Sequence, residues 1–162
     1  MLVENVHGRT FPVECGRVGE LIDGLATRED PLWPHERWPA MRFDRALGVG
    51  ATGGHGPVRY HVTEYEPAHR IRFTFIRPRG LHGYHEWEVR PARAGCELRH
   101  VLAADTTGLT VVSWPLVWRP MHDALIEDAL DKAARNLGAA VEAAPWTWHV
   151  RALRRAATVA LN

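Results

Sequence analysis

Residues 57–105 read PVRYHVTEYEPAHRIRFTFIRPRGLHGYHEWEVRPARAGCELRHVLAAD. Apolar and polar side chains alternate along four runs of this stretch, at 57–66, 69–77, 82–90 and 96–105. A period of two is typical of strands in a sheet that has one buried face and one solvated face. Short turns containing proline or glycine separate the runs. The stretch therefore predicts four consecutive antiparallel strands.

A long amphipathic helix is predicted after these strands, over residues 114–141. Its apolar arc, expected to face the sheet, contains Trp118, His122, Leu125, Ile126, Ala129, Ala133, Leu137 and Ala140. Its polar arc, expected to face water, contains Glu127, Asp128, Asp131 and Arg135. Because proline is tolerated only in the first turn of a helix, Pro115 and Pro120 also allow a start nearer Met121.

The remaining segments complete the predicted fold. Residues 2–11 predict a first strand, 14–25 a short helix and 41–49 a second strand. The predicted class is α+β, a curved antiparallel sheet wrapped around a long carboxy-terminal helix with short helices after the first strand. We expect this domain to span residues 1–143. Residues 144–162 form a predicted amphipathic helical tail, whose apolar stripe is Trp146, Val150, Leu153, Ala157 and Leu161.

The composition narrows the class of protein. With 162 residues, 46% apolar and 24% charged, the chain is typical of a single globular domain. A net charge of +1 argues against a nucleic-acid-binding protein, which normally carries a basic face. There is no apolar stretch of about 18 residues and no signal-peptide pattern, so we expect a cytoplasmic protein without a transmembrane segment. The oligomeric state stays open, with a homodimer as one alternative.

No nucleophilic catalyst is predicted. Cys15 and Cys96 match no C-x-x-C motif, and no disulfide follows from them. Strand parity turns Cys96 inward, where a thiol is inert, whereas Cys15 begins a helix, a position that favours reactivity. Ser113 is the only serine and has no ordered serine–histidine–aspartate context.

Residues 48–53 read GVGATG and match the G-x-G-x-x-G pattern of dinucleotide-binding proteins. That pattern holds a pyrophosphate only where a strand precedes it and a helix begins on it. Here Gly54, Gly56 and Pro57 follow, and then another predicted strand. We interpret the segment as a flexible hairpin loop and expect no nucleotide and no other cofactor.

Three histidines fall on predicted apolar faces. His85 shares the strand parity of Trp87, and His100 shares that of Leu98. His122 lies on the apolar arc of the helix. Because a buried imidazole needs a partner for each ring nitrogen, these residues are either core and pocket-wall histidines or ligand anchors and general acid–base catalysts. Their spacing offers no local ligand pair, so no metal site is predicted.

The same parity predicts further ligand-binding residues. Besides the histidines, the inward set contains Tyr60, Phe73, Phe75 and Trp87, while Trp33, Trp38, Trp114 and Trp118 flank the expected mouth of a cavity. Arg45 shares parity with apolar residues of the strand at 41–49. An inward Arg45 would bind a carboxylate or phosphate of a ligand, and the alternative is an arginine at the rim.

Four sequence patterns suggest a family. They are VTEYEP at 62–67, RIRF at 70–73, GYHEWEV at 83–89 and GCELRH at 95–100. In this order the chain resembles, over residues 2–141, the START-like superfamily and within it the polyketide cyclase/dehydrase and lipid-transport (SRPBCC) group. The resemblance implies a helix-grip fold with a deep cavity that binds lipids, sterols, polyketides or hormones. The group has no universal catalytic motif, so no residue is assigned as catalytic by matching.

Two classes of function follow. The first is binding or carriage of an apolar small molecule, either lipid or polyketide-like, in a cavity between the sheet and the long helix. The alternative is a polyketide cyclase or dehydratase that uses His85, His100 or His122 as general acid or base. The basic tail either packs on the domain or docks on a membrane surface or a partner.

Overall fold

The computed structural model describes residues 1–160 as one curved antiparallel sheet packed on a long helix, which confirms the predicted α+β class. The elements are β1 (Leu2–Phe11), α1 (Cys15–Asp23), β2 (Arg42–Phe43), β3 (Thr52–His55), β4 (Val58–Glu66), β5 (Arg70–Arg77), β6 (Leu81–Ala92), β7 (Gly95–Thr106), α2 (Thr110–Ser113), a π-helical turn (Trp114–Trp118), α3 (Arg119–Asn136) and α4 (Trp148–Ala160). The sheet order is β1-β7-β6-β5-β4-β3-β2. The first strand thus pairs with the last one.

The four central strands and their inward faces agree with the prediction. Strands β4 to β7 occupy the four alternating runs and pair as neighbours in antiparallel register. Tyr60, Phe73, Trp87 and Leu98 are fully buried against α1 and α3. Alternation identified this core because a period of two leaves only one face of each strand for burial.

Ion pairs cover the outer, solvated face of the sheet. The Arg72 guanidinium contacts Glu64 at 2.6 Å and Glu86 at 2.7 Å, on strands β4 and β6. Arg99 on β7 contacts Glu88 on β6 at 2.6 Å. These pairs lie between neighbouring strands, where opposite charges stabilise the pairing by a few tenths of a kcal/mol to about 1 kcal/mol each.

The long helix differs from its predicted bounds of 114–141. It begins earlier, at Thr110, and ends at Asn136, shortly before Gly138 at a φ of 82°. It also contains a π turn, because Pro120 has no N–H for the carbonyl of Leu116. The Nε2 of His149 donates to that carbonyl over 2.8 Å and so attaches α4 to the π turn. Ala140, predicted on the apolar arc, is exposed beyond the helix end.

The predicted polar arc of this helix is wrong at two positions. Asp128 and Asp131 are buried, although both were expected to face water. Arg9 on β1 binds Asp131 at 2.7 Å, and Arg37 binds Asp128 at 2.7 Å. Charge alone is therefore a poor indicator of which helix face is exposed, because a carboxylate can be buried where it pairs with a fixed cation and accepts further hydrogen bonds.

The segment between α1 and β4 also departs from the prediction. Only Arg42–Phe43 of the expected strand at 41–49 pairs with the sheet. The glycine-rich segment, expected to be a flexible loop, contains strand β3. At Gly54, a side chain would place its Cβ 2.0 Å from the carbonyl oxygen of Val58, so glycine is required by the close approach of β4. A strand, and not a helix, follows the G-x-G-x-x-G pattern.

The expectation of two unpaired cysteines is wrong. Cys15 and Cys96 form a disulfide with a Cα–Cα distance of 5.1 Å, and it joins the start of α1 to β7. The partners are separated by 81 residues in sequence, so spacing gave no indication of the pairing. Closing so long a loop restricts the unfolded chain and stabilises the fold.

The tail forms helix α4 along the predicted stripe. Val150 is buried, and Trp146 packs against the core. Leu161, the last residue of that stripe, lies outside the described residues. Among residues 1–160, no helix is long and apolar enough to cross a membrane.

Candidate functional site

A cavity of about 300 Å³ lies between the sheet, the long helix and α4. Its wall is mostly apolar, with tryptophans from two segments: Trp33 and Trp38 from the proline-rich stretch, and Trp114 and Trp118 from the π turn. The polar side chains in the wall are His55, His85, His100, His122 and Arg154. An apolar space with a few polar groups is the usual form of a small-molecule site.

Five of the predicted ligand-binding residues lie in this wall. They are Phe75, His85, His100, Trp118 and His122. Three others, Tyr60, Phe73 and Trp87, are fully buried behind it. Phe73 stacks on His85 with ring centroids 4.9 Å apart, and Trp87 meets His100 edge-on at 4.7 Å. These aromatic rings hold the lining histidines in place.

Arg45 does not reach the cavity. Its side chain is 66% exposed and pairs with Asp44 at 3.0 Å. Of the two alternatives for Arg45, the inward orientation is not found, because the chain at this position is a loop, where strand parity has no meaning.

Sequence patterns missed two parts of the wall. His55 lies on β3, where the surrounding glycines suggested a loop; its Nδ1 lies 3.0 Å from the hydroxyl of Tyr60, and its ring packs 4.5 Å from Trp33. Leu153 and Arg154 of α4 also line the cavity, whereas the sequence predicted at most that the tail packs on the domain. The apolar stripe of α4 was the one available signal for its packing.

His85 and His100 form a hydrogen-bonded pair inside the wall. Nδ1 of His85 lies 3.3 Å from Nε2 of His100. Burial lowers the pKa of both imidazoles well below its ordinary value, so both rings are neutral near pH 7. The two remaining nitrogens, Nε2 of His85 and Nδ1 of His100, are buried without a partner in the protein.

The shared proton gives these two nitrogens opposite roles. A neutral imidazole has one N–H and one lone pair. If His100 donates within the pair, Nε2 of His85 carries a proton and Nδ1 of His100 carries a lone pair. If His85 donates, the two roles are exchanged. In either state the pair has one free donor and one free acceptor.

The tautomer of His122 is set by its neighbours. Nδ2 of Asn5 donates to Asp123 over 2.7 Å, because a carboxylate only accepts. This turns the carbonyl oxygen of Asn5 toward Nδ1 of His122, 3.0 Å away, which therefore carries the ring proton. Burial lowers the pKa of His122 to about 4, so the ring is neutral and its Nε2 has a lone pair available to a ligand.

A buried carboxylate holds α4 against the cavity. Oδ2 of Asp128 accepts hydrogen bonds from the indole nitrogens of Trp38 at 2.7 Å and Trp146 at 3.0 Å. The guanidinium of Arg154 lies over both indole rings, 4.2 and 4.0 Å from their centroids. The proline-rich stretch, α3 and α4 thus meet at one point beside the cavity.

The family model for polyketide cyclase/dehydrase and lipid transport proteins matches residues 26–142. CalU16 from Micromonospora echinospora has a similar structure, with a TM-score of 0.59, 15% identity, and coverage of 97% of this chain and 84% of CalU16. A point mutant of norcoclaurine synthase from Thalictrum flavum, in complex with a transition-state analogue, gives a TM-score of 0.62 at 15% identity, covering 85% of this chain and 96% of the synthase.

The di-domain ARO/CYC protein StfQ, from the steffimycin biosynthetic pathway, is also similar. Its TM-score is 0.61 at 16% identity, covering 85% of this chain and 51% of StfQ. At these identities the similarity of the three structures shows a shared fold. No curated protein matches the sequence.

Proposed function

This chain belongs to the polyketide cyclase/dehydrase and lipid-transport family, and we propose that it binds an apolar small molecule with a hydroxyl or carbonyl group in the cavity. Among the described residues, three buried ring nitrogens have no partner in the protein: Nε2 of His85, Nδ1 of His100 and Nε1 of Trp87. The observation that carries the proposal is that two of them belong to histidines of the cavity wall, His85 and His100. An unpaired buried polar group costs about 1–3 kcal/mol, and a ligand that supplies the missing partner removes that cost.

The rest of the wall supports an apolar ligand. Phe75, Trp114, Trp118 and Leu125 offer carbon surface, whose burial contributes about 25 cal/mol per Å². The cavity volume of about 300 Å³ is at the lower end of the range of small-molecule sites, which favours a compact ring system over a long lipid.

The cytoplasmic location, the lack of nucleic-acid binding and the homodimer remain predictions.

A pair of related probes tests this function. We expect 2-naphthol to bind more tightly than 2-methylnaphthalene, which has the same ring system without the hydroxyl. His85→Leu and His100→Leu should each reduce that preference about tenfold. Each substitution removes one polar partner of the hydroxyl and fills its place with an apolar side chain. His82→Gln is the matched control, because His82 lies on β6 but is exposed. Equal binding of the two probes to the unaltered protein would exclude the proposed polar contact.

Acid–base catalysis is the second candidate, and the opposite roles of the two nitrogens favour it. In an aldol cyclisation, the lone pair takes a proton from the carbon beside one carbonyl while the N–H gives its proton to the oxygen of the other. A new carbon–carbon bond forms, and a shift of the shared proton between His85 and His100 exchanges the donor and the acceptor. Loss of water from the aldol then yields the enone.

A small diketone tests the catalytic alternative. Heptane-2,6-dione cyclises to 3-methylcyclohex-2-enone and water, and the enone is followed by its ultraviolet absorbance. We expect rate enhancement by the unaltered protein, a loss of at least tenfold in His85→Leu and His100→Leu, and no loss in His82→Gln. Binding of 2-naphthol without turnover of the dione would support the binding or carrier function and exclude catalysis of this reaction.

A further inference from the structure

Four polar atoms meet between β1 and α3, behind the cavity wall. Nε2 of His7 lies 2.9 Å from Oδ1 of Asn5 and 3.1 Å from Oδ1 of Asp123. Oδ1 of Asn5 in turn lies 3.0 Å from Nδ1 of His122. The strand places Asn5 and His7 on one face, two residues apart, and the helix brings His122 and Asp123 opposite them.

We propose that His7, His122 and Asp123 bind a divalent transition-metal ion, with the oxygen of Asn5 or a water molecule as a fourth ligand. The ligand atoms of the three residues all lie within 4.8 Å of one another. Bonds of about 2.0–2.2 Å to a tetrahedral ion place neighbouring ligand atoms about 3.3–3.6 Å apart. Of the three proposed ligands, His7 and Asp123 place their ligand atoms 3.1 Å apart, slightly closer than this, and the atoms of His122 lie within 4.8 Å of both. The oxygen of Asn5 lies 2.9 Å from His7 and 3.0 Å from His122, within reach of the same ion.

A second layer of contacts fits this role. Oε1 of Glu127 accepts from Nδ1 of His7 over 2.8 Å, which fixes the ring with Nε2 toward the cluster. A carboxylate behind a ligating histidine is the usual support for a metal ligand and makes the imidazole a stronger donor. Two imidazoles with one carboxylate suit ions such as Zn²⁺, Co²⁺ or Fe²⁺, whereas Mg²⁺ and Ca²⁺ prefer oxygen ligands alone.

Metal binding changes where two protons lie. The ion displaces the proton on Nε2 of His7, which is released to water, while Nδ1 keeps its proton and continues to donate it to Glu127. On His122, Nδ1 becomes a ligand, so the ring proton moves to Nε2. Because His122 lines the cavity, it would then donate to a bound molecule instead of accepting from it. This last consequence depends on the proposed ligand site, whereas the metal site itself does not.

Titration of the full chain with Co²⁺ tests the site. We expect visible absorption bands of a four- or five-coordinate ion at one equivalent. We expect His7→Ala and His122→Ala to weaken Co²⁺ binding at least tenfold, each by the loss of one ligand. His69→Ala is the control, because His69 is exposed on a turn between β4 and β5. Absence of these bands, or equal affinity in all three variants, would overturn the proposal.

A variant with a stronger fourth ligand separates metal binding from effects on folding. Asn5→Asp adds a carboxylate beside Asp123 and should tighten Co²⁺ binding about tenfold while lowering the stability of the metal-free protein. Thermal unfolding with and without Co²⁺ reads out both effects. Glu127→Gln keeps the shape of the second layer and should weaken binding by about tenfold or more. Unchanged Co²⁺ affinity in both variants would contradict the assigned ligands, whatever the outcome of the naphthol experiment.

Discussion

The indole nitrogen of Trp146 donates a hydrogen bond to Oδ2 of Asp128 across 3.0 Å, and this bond joins the segment before α4 to α3. Trp38 donates to the same oxygen, and Arg37 pairs with the other one at 2.7 Å. One carboxylate therefore satisfies three donors from two segments that lie far apart in sequence. Its charge is compensated, which is the condition for its burial on α3.

Asp128→Asn should loosen α4 and destabilise the fold. An asparagine side chain has one acceptor and turns an NH₂ group toward at least one of the three donors. We expect the free energy of unfolding to fall by about 3 kcal/mol. Urea unfolding measures this loss, and limited proteolysis should cut sooner in the segment before α4. Glu142→Gln, which removes an exposed carboxylate from that segment, should change neither measurement.

Reduction of the Cys15–Cys96 disulfide should lower the free energy of unfolding by about 4.5 kcal/mol, the value expected for a loop of about 80 residues. The measurement is urea unfolding with and without dithiothreitol. A variant with both cysteines replaced by serine serves as the control, because its stability should be low and should not respond to the reductant. An unaltered protein that is equally stable in both conditions would show that the bond does not form.

Acid should destabilise the fold through His55. Burial lowers the pKa of His55 from 6.5 to about 3. Between these values the unfolded state binds a proton that the folded state does not, so the free energy of unfolding falls as the pH drops from about 6.5 toward 3. His55→Gln should make this decline shallower, with His85, His100 and His122 still contributing in the same direction. His69→Gln, at an exposed histidine on the turn between β4 and β5, is the matched control substitution.

Two glycines of α1 should respond in opposite ways to alanine. A Cβ on Gly19 would lie 2.0 Å from the carbonyl oxygen of Ala68, where α1 packs on the turn between β4 and β5. We expect Gly19→Ala to lower the free energy of unfolding by about 1–3 kcal/mol. Gly16 has no atom within 4 Å of such a Cβ, so Gly16→Ala should raise it by up to about 1 kcal/mol. Equal effects would contradict the packing of α1.

The alternation of apolar and polar residues predicted those features of the fold that depend on a repeating pattern. The inward positions of β4 to β7, and with them His85 and His100, follow from a period of two. The same rule failed at Arg45, since it requires a strand and residues 44–51 form none. Local patterns of this kind operate over a few residues and carry no information about pairing across the chain.

The remaining errors arise from contacts between distant segments. The burial of Asp128 depends on Arg37 and Trp38, about 90 residues earlier, and the disulfide spans 81 residues. His55 enters the cavity wall because glycines let β3 approach β4 closely, whereas the composition of the segment indicated a loop. Each of these features becomes visible only when the fold brings its partners together.

Helix α4 begins at Trp148, beyond the residues 26–142 that match the family model, yet it supplies Leu153, Arg154 and Ala157 to the cavity wall. The sheet and the long helix are thus encoded by a different part of the sequence from the side of the cavity wall that α4 supplies. Exchange of the tail between related chains would reshape one side of the cavity while the sheet and the paired histidines stayed unchanged. We therefore expect such an exchange to change ligand selectivity without any substitution in residues 26–142.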